Sequence, residues 1–147
     1  MIGDFRDLLV AFVDAGVRFL VVGAHALAAQ GVPRVTGDLD VWVEPSVENA
    51  RRVWDALAKF GAPLHTLSLL QTDFAKVDQV VQLGLPPYRI DILTSISGVS
   101  FSEAWEEHVE GTLYGVAVPF IGREAFIRNK RASGRPKDLE DIRLLGG

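Results

Sequence analysis

The sequence predicts an α/β (α+β) domain with a mixed β-sheet. Segments with helical spacing of apolar residues alternate with short runs of β-branched residues, an order typical of this fold class. Glycine and proline separate these segments, and hydrophobic residues make up 48% of the 147 positions, enough for a sizeable core. We therefore expect residues 1–147 to form a single domain.

The first half of the chain predicts three helices and two strands. In the first helix, Phe5, Leu8 and Phe12 recur at helical spacing, and Gly16 follows its end. Ser46 is a suitable N-cap for the third helix. The predicted segments are a helix at 4–15, a strand at 17–22, a short helix at 24–30, a strand at 38–44 and a helix at 47–60.

The second half of the chain predicts further strands and three more helices. Pro86 and Pro87 exclude a helix between the two strands that flank them, and Ser100 or Ser102 can cap the helix that comes next. Residues 62–78 show no clear pattern. The predicted segments are strands at 79–84 and 88–94, a helix at 101–108, a β-like segment at 112–121 broken at Gly115, and helices at 123–132 and 137–145.

The composition excludes several classes of protein. A net charge of −4 argues against broad electrostatic binding of nucleic acid. The chain has no cysteine, which rules out disulfides and thiolate zinc sites. Its best apolar stretch, 19–29, is shorter than the roughly 20 residues of a membrane helix, and the N-terminal residues lack the basic start of a secretory signal. We therefore expect a cytoplasmic protein that does not contact a membrane.

Three aspartates stand in segments that otherwise predict buried strands. Side chains alternate along a strand, so Asp38 and Asp40 point to the same face and lie about 7 Å apart along the chain. Asp91 projects in the same way from the 88–94 strand. If the two strands are neighbours, the three carboxylates converge. Hard oxygen ligands of this kind suit Mg²⁺ (or Mn²⁺) together with substrate phosphates.

A simpler interpretation of the aspartates remains open. A D-x-D pattern is common by accident, and Asp38 and Asp40 then face solvent at an open strand end. Trp42 continues their face by the same alternation. We expect it to be covered, with the C-terminal helices as the candidate cover, although it could instead line the cleft.

The segment before the aspartates has features of a phosphate-binding turn. Gly23 ends a strand and leads into a short helix, where free backbone N–H groups can meet an anion. His25 could contact a phosphate or nucleotide, or simply satisfy a local hydrogen bond. Arg34 and Thr36 lie just before the acidic pair, and Arg34 could neutralise phosphate or be a solvated loop residue.

Taken together, the sequence resembles the DNA polymerase β-like nucleotidyltransferase superfamily. The resemblance lies in the segment 22-VGAHALAAQGVPRVTGDLDVWV-43, where a glycine-led helix precedes an arginine, a small hydroxyl residue and D-x-D. The tail 130-KRASGRPKDLEDIRLL-145 is similar to the C-terminal motif of the minimal bacterial branch that includes AbiEii-type toxins. The resemblance spans residues from about 17 to 145 and implies a minimal nucleotidyltransferase fold.

The resemblance also implies roles for individual residues. Asp38 and Asp40 match the metal-binding pair, and Asp91 matches the third carboxylate, a metal ligand and possible base. Gly23 matches the first residue of a Gly-Gly or Gly-Ser turn, with Ala24 at the second position as the main departure.

Other matched positions lie in the C-terminal part of the chain. Lys130 matches a lysine near the triphosphate. Lys137, Asp138 and Asp141 match the C-terminal helix motif, to which the resemblance gives no clear catalytic role. We count Lys130 and Lys137 among the expected nucleotide-binding residues.

The expected function is Mg²⁺-dependent transfer of an NMP from an NTP to a hydroxyl acceptor. The acceptor could be a small drug, an RNA end or a protein side chain, in resistance or toxin–antitoxin systems, and a partner protein or second copy could complete the cleft. A catalytically weak nucleotide-binding module that acts through a partner is the alternative, which Ala24 favours slightly. A haloacid dehalogenase-like phosphatase is disfavoured, because there the aspartates follow the strand, whereas here they precede its apolar residues.

Overall fold

The computed structural model describes residues 2–33, 37–85 and 87–146. Within these ranges the helices are α1 (Ile2–Asp14), α2 (Gly23–Ala29), α3 (Val47–Phe60), α4 (Phe101–Glu106), α5 (Arg123–Ser133) and α6 (Pro136–Leu144). The strands are β1 (Phe19–Val22), β2 (Leu39–Val43), β3 (Val80–Leu83), β4 (Ile90–Leu93), β5 (Val109–Leu113) and β6 (Val116–Phe120). A short 3-10 helix covers Gln71–Ala75.

The six strands form one mixed sheet in the order β3-β4-β2-β1-β6-β5. β2 pairs with β1 in the antiparallel sense and with β4 in the parallel sense. β6 is parallel to β1, whereas the outer strands β3 and β5 are antiparallel to their neighbours. The predicted α/β class with a mixed sheet is therefore confirmed.

The central strands are buried because apolar residues occupy both of their faces. All four residues of β1 are buried, and β2 is buried except for the partly exposed Asp40. α1 packs on one face, where the Phe12 ring lies 5.4 Å from that of Phe19. Trp42 on the other face is 1% exposed and packs edge-to-face on Phe101 of α4 at 5.1 Å. Trp42 is thus covered, as expected, and α4 supplies a ring of its cover.

Buried Asn49 fixes α3 to the ends of β1 and β2. Its side-chain amide accepts a hydrogen bond from the Arg18 backbone N–H and donates to the carbonyl oxygens of Arg18 and Glu44. Ser46 caps the same helix by accepting from the Asn49 backbone N–H, as the sequence predicts. These bonds satisfy backbone groups at the strand ends and hold β2 in place.

Two segments differ from the sequence prediction. The β-like segment at 112–121 is not one broken strand but part of a hairpin, in which β5 starts at Val109 and pairs with β6. Tyr114 and Gly115 form its turn with φ values of 50° and 78°, and two left-handed residues reverse the chain tightly. In the unassigned 62–78 segment, the 3-10 helix buries Phe74 against the core. None of the helices in the described ranges has the length and apolarity to cross a membrane.

Candidate active site

The parallel pairing of β2 with β4 brings the three aspartates together. In its register, Leu39 lies opposite Ile90 and Asp40 lies opposite Asp91. Asp38 directly precedes β2, so all three carboxylates meet where these two strands begin. They line one cleft of about 580 Å³. The expected convergence of Asp38, Asp40 and Asp91 on an open cleft is what the structure shows.

The other walls of the cleft come from α2, from the segment after β4 and from α5 and α6. Of the residues predicted for nucleotide binding, Gly23, Ala24, Lys130 and Lys137 line it. Arg34 and Thr36 lie outside the described residues. The further lining residues are Val22, Leu27, Arg89, Leu93, Ser95, Ile96, Ser97, Phe126, Asn129, Ser133, Arg135 and Asp141.

Asp40 is the most perturbed carboxyl group of the cleft. Burial, followed by the negative charges of Asp91 and Asp38, raises the pKa of Asp40 to about 6. A hydrogen bond between the Asp40 and Asp91 side chains acts in the same direction, while the positive charge of Lys130 opposes the shift. Burial is the largest cause of this shift, and the two neighbouring carboxylates add to it.

Arg89 is a site residue that the sequence interpretation missed. Its guanidinium donates to Asp91 through Nε at 2.8 Å and Nη2 at 3.2 Å, and Nη2 also lies 3.4 Å from Asp38 Oδ2. A signal was present, because Arg89 stands two residues before Asp91 and strand alternation places both on one face. The sequence interpretation had applied that rule to the acidic residues alone.

The carboxylate oxygens of Asp38, Asp40 and Asp91 are of the type that binds a divalent cation, but their arrangement in the structure is not that of a metal site. Among the described residues, no group of three or more His, Asp or Glu side chains is arranged to hold a metal ion. Arg89 instead binds oxygens of Asp38 and Asp91. Three clustered carboxylates with a raised pKa at Asp40 nevertheless offer the hard oxygen donors and negative charge that Mg²⁺ or Mn²⁺ prefers.

Gly23 is required at its position by the neighbouring carboxylate. Its φ of +71° is unfavourable for other residues, and an added Cβ would lie 2.2 Å from Asp40 Oδ2. The sequence predicted a glycine that lets phosphate approach the backbone. The structure shows that the close approach is made by Asp40, whose side chain packs directly against this turn.

His25 does not line the cleft, which corrects its prediction as a nucleotide-binding residue. Its Nε2 shares a hydrogen bond of 2.9 Å with the Tyr114 hydroxyl, and its ring packs edge-on against Phe5 and Tyr114. Burial is the largest influence on the imidazole and lowers the pKa of His25. The histidine therefore links α2 to α1 and the β5–β6 turn, which is the simpler of the two roles that the sequence allowed.

Lys130 lies at the cleft but is tied to acidic residues of α6. Its Nζ is 3.4 Å from Asp138 Oδ1 and 4.0 Å from Asp141 Oδ2. Asp138 is fully buried and also accepts from the Arg135 backbone N–H and guanidinium. Burial acts to raise the pKa of Asp138, but the Arg135 hydrogen bond and the Lys130 charge lower it overall. Asp138 and Asp141 thus join α5 to α6 and hold Lys130 in the cleft wall.

Comparisons with known proteins show the fold. No protein-family model matches the sequence, and no curated protein matches it. The chain is similar to the crystal structure of TM1012 from Thermotoga maritima, described as "a putative nucleotidyltransferase", with a TM-score of 0.64 and 16% identity over 95% of this chain and 88% of that one. At this identity the likeness shows the fold alone. The chain therefore has the mixed α/β fold of that structure, in agreement with the fold class that the sequence predicts.

Proposed function

We propose that the protein is a nucleotidyltransferase that moves a nucleoside monophosphate from an NTP to a hydroxyl group. The observation that carries the proposal is the meeting of Asp38, Asp40 and Asp91 in a cleft that Lys130 and Arg135 also line. Clustered carboxylates suit a divalent cation, and the opposite basic wall suits a triphosphate. The similarity in fold to a structure described as a nucleotidyltransferase supports the same function.

In the proposed reaction, the oxygen of the acceptor hydroxyl attacks the α-phosphorus of the NTP. A P–O bond to the acceptor forms, the bond from the α-phosphorus to the bridging oxygen of the β-phosphate breaks, and pyrophosphate leaves. The hydroxyl proton passes to a carboxylate of the cleft, for which the family resemblance nominates Asp91. The Asp91 side chain is only 13% exposed, so bulk water competes poorly for its oxygens.

Asp38, Asp40 and Asp91 are the residues that we propose to hold Mg²⁺ or Mn²⁺. When bound, the ion supplies positive charge that neutralises the phosphates and the carboxylates together. The chain itself supplies further positive charge through Lys130, whose side chain is 12% exposed and kept in place by Asp138. Arg135 and Lys137 extend this basic wall at the start of α6.

The acceptor is the least constrained part of the proposal. We propose a hydroxyl group on a small molecule, an RNA or a protein, and the resemblance to AbiEii-type toxins favours a role in a toxin–antitoxin system over drug resistance. A partner protein or second copy that completes the cleft is part of the proposal.

Incubation with labelled substrate tests the proposed function. Each α-labelled NTP is added with Mg²⁺ to the protein and a cell extract, and both label transfer and pyrophosphate release are followed. We expect one or more NTPs to label an acceptor, and the Asp40→Asn variant to give no label. Nucleotide binding without label transfer or pyrophosphate release in any extract fraction would instead support the non-catalytic binding module, which Ala24 in the cleft wall favours.

A further inference from the structure

Arg89 makes more contacts with the proposed ion ligands than any other side chain that the structure describes. Its Nε and Nη2 donate to the two oxygens of Asp91, and Nη2 also reaches Asp38. The Arg89 backbone N–H lies 3.4 Å from the other oxygen of Asp38. Both carboxylates are therefore bound by one residue, through the oxygens that a cation would need.

Two other basic residues that line the cleft are paired with acidic residues of α6. Lys130 is held by Asp138 and Asp141, and the Arg135 guanidinium is bound to Asp138. Among the residues that the structure describes, the guanidinium of Arg89 thus pairs directly with two members of the triad, Asp38 and Asp91. No hydrogen bond joins this guanidinium to Asp40 in the structure, and the charges of Asp91 and Asp38 there are opposed by that of Lys130.

We propose that Arg89 is an internal counter-cation that competes with the divalent ion for Asp38 and Asp91 and sets the ion concentration at which the cleft loads. This inference rests on the proposed function for the presence of an ion site. Arg89 occupies one lone-pair direction on each oxygen of Asp91, and its positive charge repels a divalent ion at the same carboxylate. Ion loading is therefore favoured when the guanidinium withdraws, and the 28% exposure of its side chain leaves it room to do so.

The competition makes opposite predictions for two properties of one variant. Arg89→Gln removes the positive charge, so the cation-free protein loses the ion pairs with Asp38 and Asp91 and melts at a lower temperature. The same loss leaves the triad more negative, so a divalent ion binds more tightly. If Arg89 only held the aspartates in position, its loss would lower both the melting temperature and the affinity for the divalent ion.

Binding of Mn²⁺, followed by electron paramagnetic resonance in the absence of nucleotide, tests the inference. The parent, Arg89→Gln and Arg89→Lys proteins are titrated at pH 8, where Asp40 is ionised in the parent. Arg52→Gln is the matched control, since it removes one charge from an i,i+4 pair with Glu48 on α3, outside the cleft lining. We expect Arg89→Gln to bind Mn²⁺ roughly 10-fold more tightly than the parent, Arg89→Lys to be intermediate and Arg52→Gln to match the parent.

Equal or weaker Mn²⁺ binding by Arg89→Gln would overturn the inference, and so would an equal gain in the Arg52→Gln control. If Arg89→Gln fails to fold, Arg89→Lys decides, because it keeps the charge but loses the two-point contact with Asp91 and should still bind Mn²⁺ more tightly than the parent. The readout contains no nucleotide and no transfer step. A failed transfer assay would therefore not contradict a tighter Mn²⁺ site in Arg89→Gln. Equal Mn²⁺ affinities of the two proteins would in turn not contradict the proposed transfer reaction.

Discussion

Asp40 lies directly opposite Asp91 in the parallel pairing of β2 with β4. Burial, followed by the negative charges of Asp91 and Asp38, raises the pKa of Asp40 to about 6. At neutral pH the two groups repel each other. Neutralising Asp40, by a proton or by a cation, would relieve this repulsion.

Asp40→Asn should abolish nucleotidyl transfer and leave the fold intact. The change is nearly isosteric but removes the charge that the proposed ion requires. Metal-assisted phosphoryl transfer depends on such charges, so we expect a loss on the order of 10²-fold or more in rate. Label transfer from an NTP under saturating Mg²⁺ measures it.

Thermal melting in EDTA is the control for that variant. Asp40→Asn should melt at or above the parent temperature, because a repelling carboxylate has been neutralised. A variant that melts far below the parent would identify Asp40 as a structural hydrogen-bond acceptor. Normal melting with normal transfer would remove Asp40 from the site.

The raised pKa of Asp40 also predicts how stability depends on pH. A carboxyl group whose folded pKa is about 6, above its ordinary 3.8, contributes stability that is complete below about pH 4 and is lost as pH rises through 6. The loss should amount to about 3 kcal/mol. Urea unfolding in EDTA is measured at pH 4.5 and at pH 8, roughly one to two units either side of that pKa. The free energy of unfolding of Asp40→Asn, relative to that of the parent, should be higher at pH 8 than at pH 4.5. A difference between the two proteins that stays constant with pH would contradict the assignment.

Gly23→Ala should be more destabilising than a matched glycine substitution elsewhere. At Gly23 the added Cβ meets Asp40 Oδ2 and the φ of +71° is strained, whereas at Gly16 the φ is +70° and nothing lies within 4 Å of the Cβ. We expect about 1 kcal/mol from strain in Gly16→Ala, and a further 1–3 kcal/mol or so from the clash in Gly23→Ala. Urea unfolding of both variants checks this, and equal losses would show that Asp40 moves aside at little cost.

Asp138→Asn should destabilise the junction between α5 and α6. Asp138 is fully buried and accepts from the exposed Arg135 and the largely buried Lys130, so the variant removes a buried charge that pairs with Lys130 and should cost about 3 kcal/mol in the free energy of unfolding. Glu140→Gln, in the exposed pair with Arg143, is the control and should cost less than about 1 kcal/mol. Similar losses in both would mean that the buried group is not the stabilising one.

Much of the fold was predictable from the sequence because local patterns and tertiary packing agree. Strand alternation placed Asp38 and Asp40 on one face, and it predicted that Asp91 would join them if the strands were neighbours, which the register shows. The β5–β6 hairpin was not recognised, because its turn needs two successive left-handed residues and Tyr114, unlike Gly115, is not a residue type that favours this conformation. The 3-10 helix in 62–78 lacks any periodicity of its own and is fixed by the burial of Phe74.

The site was less predictable wherever a residue's role depends on its partners. His25 and Lys130 were both assigned to nucleotide by position, yet His25 turns towards Tyr114 and Lys130 is shared with Asp138. His25 and Tyr114 are 89 positions apart, and Lys130 and Asp138 are 8 apart. A single sequence gives no sign of the long-range pair. Arg89 is different, because alternation with Asp91 was visible and only the focus on acidic residues hid it.

Nucleotide binding in the presence and absence of a divalent ion tests most directly whether Asp38, Asp40 and Asp91 form a cation and phosphate site. Calorimetry with ATP, GTP, CTP and UTP is carried out in Mg²⁺ and again in EDTA. Three carboxylates repel a triphosphate until a cation intervenes, so at least one nucleotide should bind in Mg²⁺ and bind roughly 10-fold or more weakly in EDTA. Equal affinity under both conditions would contradict the proposed site.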